Sequence, residues 1–182
     1  MAVTAVKTPK RRGYICGTCA GCCREMIVPV NDADVRRLAK ASGLPPSKIV
    51  GFYGSRHVAF DEDSPLWVYT RHGARIMGLR RIGNRCRFLN SAGRCRFYAN
   101  RPSTCRTFPY EIRFRGPANQ PVVERSDWTP CPAKAGRVSD WDDVLRARRR
   151  EIREDIRFYR RLRAWEDAGG GRTPDLLHSL FG

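Results

Sequence analysis

The sequence predicts an α+β fold: a small cysteine-rich domain of short helices and β-hairpins, with a long C-terminal helix. Three observations predict it. Four of the eight cysteines fall in Cys16-Gly17-Thr18-Cys19-Ala20-Gly21-Cys22-Cys23, spaced by small residues. Short alternating segments recur between residues 66 and 125, separated by turn signals such as His72-Gly73 and Asn90-Ser91-Ala92-Gly93, as in hairpins. Beyond residue 139, apolar residues return at helical spacing among many arginines.

Composition narrows the class. A chain of 182 residues suffices for one compact domain. Its eight cysteines are about 4% of the residues, below the roughly 8–10% of small disulfide scaffolds. No run approaches the ~18–20 apolar residues of a membrane span. The basic start is followed by no apolar stretch of a secretory signal. A cytoplasmic, reducing location is therefore expected, where clustered cysteines serve as metal ligands. The formal charge of +17 and pI of 10.4 favour an anionic partner: nucleic acid, an acidic protein or a membrane surface.

Residues 1–13, with Lys7, Lys10, Arg11 and Arg12, read as a flexible basic arm. Residues 14–135 read as the cysteine domain and 136–182 as an Arg-rich helical extension. Within the domain, Asn31-Asp32 can cap a helix over about 32–42, with Val35, Leu38 and Ala39 inward and Gly43 closing it. Pro45-Pro46 restarts the chain, and Ile49, Val50, Phe52 and Tyr53 suggest a second short helix. Asp61-Glu62-Asp63 reads as a solvated turn. Leu66–Thr70 and Ile76–Ile82 read as strands. Arg85-Cys86-Arg87-Phe88-Leu89 and Arg94-Cys95-Arg96-Phe97-Tyr98 form a small repeat around a turn, hence a hairpin. With Ser91-Ala92 as a two-residue loop, Cys86 faces Phe97 and Cys95 faces Phe88, and both cysteines share one face; a one-residue slip separates them. Asn100 can cap a helical turn that delivers Cys105 and ends before Pro109. Tyr110–Arg115 and Pro121–Arg125 read as strands, and Cys131-Pro132 lies in a loop. Ser139 opens the long helix, with Val144, Leu145, Ile152, Ile156, Tyr159, Leu162 and Trp165 as its apolar stripe. Gly169-Gly170-Gly171 ends it, and Thr173 starts a short helix, Pro174–Phe181.

The cysteine pattern carries the chemistry. Small residues between thiols let a tight loop aim several sulfurs at one centre, and Cys-x2-Cys-x2-Cys is how ferredoxins present three ligands to a cubic cluster. The full series is Cys16-x2-Cys19-x2-Cys22-Cys23, Cys86-Arg-Phe-Leu, Cys95-Arg-Phe-Tyr, Arg101-Pro-x2-Cys105-Arg-x-Phe-Pro and Cys131. Over roughly residues 14–131 it resembles the YkgJ-like cysteine cluster family, described as zinc- or iron-chelating domains. The resemblance implies a metal or iron–sulfur centre. Flagellin lysine N-methylases share a similar cysteine core, but the chain has no separate methyl-donor motif, so no activity is carried over.

The expected metal ligands are Cys16, Cys19, Cys22, Cys23, Cys86, Cys95, Cys105 and Cys131. They can form two four-sulfur zinc sites. Alternatively, Cys16, Cys19 and Cys22 hold an iron–sulfur cluster (4Fe-4S) with the Cys131-Pro132 pair, and Cys23 serves a second centre with Cys86, Cys95 and Cys105, because adjacent side chains point apart. Arg24, Arg87, Arg96 and Arg106, each beside a cysteine, are placed to offset thiolate charge. Three functions are open: a metal- or cluster-binding protein, a cluster-dependent redox or group-transfer enzyme, and a nucleic-acid binder with structural zinc and the 139–167 helix as its basic face.

Overall fold

The structure is a computed structural model that describes residues 19–58, 64–116, 119–125 and 141–182. Cys16, Cys131, the acidic triplet at 61–63, the Ser139 cap and the basic arm lie outside the described residues. The architecture is α+β, with short helices and small antiparallel sheets set against one long helix.

Helix α1 (Gly21–Glu25) leads into α2 (Asp32–Ser42). The α2 start is fixed by Asn31, whose side-chain oxygen accepts from the Asp34 amide at 2.9 Å. Gly43, at φ 69°, ends it as the sequence predicts. The second expected helix is only α3 (Pro46–Ile49); from Val50 the chain is extended as β1 (Val50–Tyr53). The cause is the β-branched and aromatic content of Val50, Phe52 and Tyr53, which suits a pleated surface and pairs with Leu79, Met77 and Ile76.

Strands β2 (Trp67–Thr70) and β3 (Gly73–Leu79) form the expected hairpin, and β1 completes a sheet in the order β1-β3-β2. Pro29 bridges Gly78 on β3. A Cβ at Gly78 would lie 2.8 Å from the Ile27 side chain and 3.1 Å from the Val28 carbonyl, so the segment after α1 can approach β3 only because residue 78 has none.

Strands β4 (Arg81–Ile82) and β5 (Arg85–Cys86) pair through a tight turn. The expected 85–98 hairpin exists, but its register differs by one residue. Leu89 bridges Cys95, and Asn90 pairs with Arg94 across a three-residue loop whose Gly93 has φ 72°. The Asn90 side chain accepts from the Arg94 amide at 2.8 Å, which selects the longer loop with its left-handed glycine over the two-residue one. A single turn of 3-10 helix at Tyr98–Asn100 precedes α4 (Ser103–Thr107), whose N-cap position is Pro102, with no side-chain cap, rather than Asn100. Strands β6 (Tyr110–Arg115) and β7 (Gln120–Arg125) form the last hairpin.

Helices α5 (Trp141–Asp167) and α6 (Thr173–Phe181) close the structure. One core unites Val35 and Leu38 of α2, Ile49 and Val50, Val68, Met77 and Leu79 of the sheet, and Phe158, Leu162, Leu176 and Leu180 of the last two helices. A smaller cluster holds Ile112 and Val144. The expected stripe of α5 is borne out in part: Val144 and Leu162 are buried and Leu145, Tyr159 and Trp165 pack against the two clusters, but the most deeply buried face is shifted from it. Val144, Ala147, Glu151, Phe158 and Leu162 are buried, whereas Ile156 is 46% exposed. The phase is rotated because carboxylates, Glu151 and Asp155, occupy part of the inner face, which an apolar count cannot register.

This phase is testable by urea unfolding. Phe158→Ala is expected to cost about 3–5 kcal/mol, as for a fully buried aromatic, and Ile156→Ala no more than ~0.5 kcal/mol, as for a surface site.

Candidate metal centre

All six described cysteines, Cys19, Cys22, Cys23, Cys86, Cys95 and Cys105, line one cavity of about 80 Å³. The rest of its wall is mostly apolar, including Val28, Leu38, Leu79 and Phe88, with Arg101 at its margin. The thiols come from separate parts of the chain. Cys22 and Cys23 ride on α1, Cys86 on β5, Cys95 on the bridge to Leu89, and Cys105 on α4.

Within the described part of the N-terminal run, residues 19–23, no glycine hinges the loop. The residue with positive φ is the buried Ala20, at 60°, and Gly21 already belongs to α1. Nor do the adjacent cysteines diverge: the sulfurs of Cys22 and Cys23 are 4.0 Å apart. One guanidinium anchors this helix. Arg81 donates to the carbonyls of Met26, at 2.7 Å, of Arg24 and of Asn84, so it ties the end of α1 to the β4–β5 turn beside Cys86.

On the other side, α4 is held by buried carboxylates. Asp34 accepts from the Ser103 amide at 3.2 Å and pairs with Arg37. Glu151 accepts from the Thr104 hydroxyl at 3.1 Å and from Arg148 at 2.8 Å. Asn31 donates to Asp155 at 2.8 Å. These acids border a second, larger cavity of about 700 Å³, which shares Met26, Thr104 and Phe108 with the thiol cavity.

The electrostatics separate the thiols. The Cys22 thiol brings Cys23 down to about 7 against its burial, with Arg24 assisting. Burial pushes Cys86 up to about 11, and the charges of Cys23 and Cys95 add to this. Burial also drives Cys105 well above the ordinary thiol range, and Cys86, Cys23, Asp34 and Cys95 push the same way. Cys23, Cys86, Cys95 and Cys105 thus lie close enough to sense one another's charge. Among the described residues, no three His, Cys, Asp or Glu side chains converge closely enough to hold one ion.

The donors around this cavity nevertheless suit a thiolate centre. Among the described residues, the buried Nε of Arg101 has no hydrogen-bond partner, while its Nη1 donates to the Tyr98 carbonyl at 3.0 Å and its guanidinium stacks on the Tyr98 ring. An orphaned cationic N–H at the edge of a thiol-lined cavity calls for an anionic acceptor, and a metal-bound thiolate is one. Of the four arginines expected to offset thiolate charge, Arg24 lowers Cys23 and donates to the Cys19 carbonyl. Arg87, Arg96 and Arg106 instead donate to the carbonyls of Lys48, of Arg87, and of Arg101 and Ala99. Arg81, Arg101, Asp34 and Glu151 escaped the sequence reading. Arg101 stands in the Arg-Pro-x2-Cys element, the one signal that could have flagged it.

The class of protein follows from this arrangement: a small α+β domain whose cysteines, scattered in sequence, gather around one cavity. The CxxCxxCC family model, "Putative zinc- or iron-chelating domain", matches residues 15–130, and the chain belongs to that family. Cys131 falls one residue beyond the match. No curated protein and no solved structure matches the chain. Among the described residues, no helix is long and apolar enough to cross a membrane.

The carboxylates give a pH prediction. Burial pushes Asp34 up to about 7, outweighing Arg37 and the Ser103 amide, and Glu151 and Glu154 push the same way. An unfolded Asp titrates near about 3.9. Between about pH 4 and 7 the folded state therefore holds a proton that the unfolded chain has released, so stability falls as pH rises through that window and levels above it. Asp34→Asn is expected to flatten the fall, read as urea midpoints from pH 4 to 8; an unchanged slope would assign it to other groups.

Proposed function

We propose that this protein binds zinc or iron through thiolates, with Cys23, Cys86, Cys95 and Cys105 as one four-sulfur set. The observation that carries this reading is the shared cavity, in which thiols from four separate segments lie within electrostatic reach of one another. Cys16, Cys19, Cys22 and Cys131 form the second set, with Cys16 and Cys131 supplied from outside the described residues. Cys22 and Cys23, 4.0 Å apart at sulfur, are the junction between the two sets.

The chemistry of the donors narrows the role. Only thiolates ligate, so metal uptake displaces the protons that burial keeps on Cys86 and Cys105. Bound zinc or an iron–sulfur cluster would supply positive charge that holds these thiolates together. Arg101 donates toward the resulting anionic sulfur, and the apolar wall excludes water from it. A four-thiolate site has no open coordination position, which fits a chelating, structural or electron-carrying role better than Lewis-acid catalysis. The second set, if it holds an iron–sulfur cluster, supplies the redox version of the same role.

Anaerobic purification with metal and acid-labile sulfide analysis tests this. Stoichiometric zinc or iron is expected, with most of it lost in Cys86→Ser and in Cys105→Ser. Arg101→Gln is expected to retain the centre with affinity lowered roughly ten- to a hundred-fold, the usual effect of an outer-shell partner. Sulfide with a visible band that bleaches on reduction identifies a cluster; a colourless, sulfide-free protein identifies zinc. Metal content unchanged in both cysteine variants, or no metal in the parent protein, refutes the reading.

A further inference from the structure

The arginines of α5 divide into two groups. Several are engaged. Arg148 binds Glu151 and the Ile112 carbonyl, Arg161 binds Asp32, Arg163 binds Glu166 and the Trp67 carbonyl, and Arg146 pairs with Asp143. Arg150 lies 4.0 Å from Glu154. The others form a pattern. Arg149, Arg153, Arg157 and Arg160 are exposed, and among the described residues none of them has an ion-pair partner. Their spacing of four, four and three residues puts all four on one stripe, on the side of the helix opposite the buried Ala147, Glu151, Phe158 and Leu162. At 1.5 Å per residue the stripe is about 16 Å long and set on a 27-residue helix.

We propose that this stripe is a sequence-independent docking surface for the phosphate backbone of duplex DNA. Guanidinium forks one helical turn apart suit a row of phosphates, and the stripe runs the length of about five nucleotide rises of one strand at ~3.4 Å each. The stripe itself decides against other polyanions. It carries no exposed aromatic ring for stacking unpaired bases, since the Phe114 ring lies beneath the Arg149 guanidinium, 5.0 Å from it. Its one exposed large apolar neighbour is Ile156, too little for a helix that lies in a membrane interface. The face of α5 that meets DNA is thus the reverse of the face that meets α4, and the surface does not depend on which metal the thiols bind.

The test is fluorescence anisotropy of the metal-loaded 182-residue protein with a labelled 20-base-pair duplex of arbitrary sequence, titrated between 50 and 200 mM salt. Binding that weakens steeply with salt is expected, and Arg153→Gln/Arg157→Gln/Arg160→Gln should make the slope of log affinity against log salt shallower by about 2.7, at ~0.9 per phosphate contact. Arg56→Gln/Arg71→Gln/Arg115→Gln removes the same charge from exposed sites elsewhere and is expected to leave the slope nearly unchanged. Arg153→Lys/Arg157→Lys/Arg160→Lys should keep it, which separates charge from damage to the helix. Equal losses in the two glutamine triples, tighter binding to single strands or to anionic vesicles than to the duplex, or no binding at 50 mM salt would each overturn the proposal. Metal content measured on the same samples keeps this outcome separate from that of the thiol centre.

Discussion

The placement of α4 by two buried carboxylates is the constraint on which the thiol cavity depends. A five-residue helix has too few internal hydrogen bonds to persist alone. Here its first residues are gripped from outside: Asp34 of α2 takes the Ser103 amide, and Glu151 of α5 takes the Thr104 hydroxyl. Both contacts fall within two residues of Cys105. Burying carboxylates is costly unless they are paired, and each is paired, Asp34 with Arg37 and Glu151 with Arg148. In a chain with 35 basic and 18 acidic residues, these acids hold a thiol in position.

The opposite wall uses the opposite sign of charge. Helix α1 is equally short, and its C-terminal carbonyls are collected by Arg81, which also holds the Asn84 carbonyl in the β4–β5 turn. One guanidinium therefore couples the Cys22–Cys23 segment to the segment of Cys86. Arg81 is placed in turn by Tyr53, whose hydroxyl accepts from the Arg81 amide at 3.1 Å and donates to the Leu79 carbonyl at 2.9 Å. The cavity is thus bounded by two marginal helices, each fastened by long-range polar contacts to the sheet or to α5. Gly78 contributes the last condition, because the chain leaving α1 can lie on β3 only where no Cβ intervenes.

Much of this was legible in the sequence where the information was local. The Asn31 cap and Gly43 fixed α2, turn residues fixed the β2–β3 and β6–β7 hairpins, and cysteine spacing pointed to the family. What was not legible depended on distance. The register at Asn90–Arg94 turned on whether Gly93 adopts a left-handed conformation, and composition allows either loop. The phase of α5 was only partly legible because Glu151 and Asp155, polar in sequence, are drawn inward by partners more than forty positions away: Thr104 and Asn31. Arginines beside cysteines looked like charge compensators, yet all four donate to carbonyls and of the four only Arg24 also lowers a thiol, while Arg101, four residues before Cys105, borders the thiols. Adjacency in sequence does not report which way a long side chain runs.

The same helix, α5, bears on both faces of the argument. Its inner side supplies Glu151 to the α4 contact and Phe158 and Leu162 to the core, so its position is fixed by packing. Its outer side is free of that duty, and there, among the described residues, Arg149, Arg153, Arg157 and Arg160 meet no acid partner such as those of Arg148, Arg161 and Arg163. The excess of arginine is therefore unevenly used: where carboxylates or carbonyls are within reach the guanidinium is structural, and the surplus charge accumulates where they are not. The helix that props a thiol-bearing turn also presents that surplus along one face. The core contacts of α5 are thus what make its exposed face a defined surface.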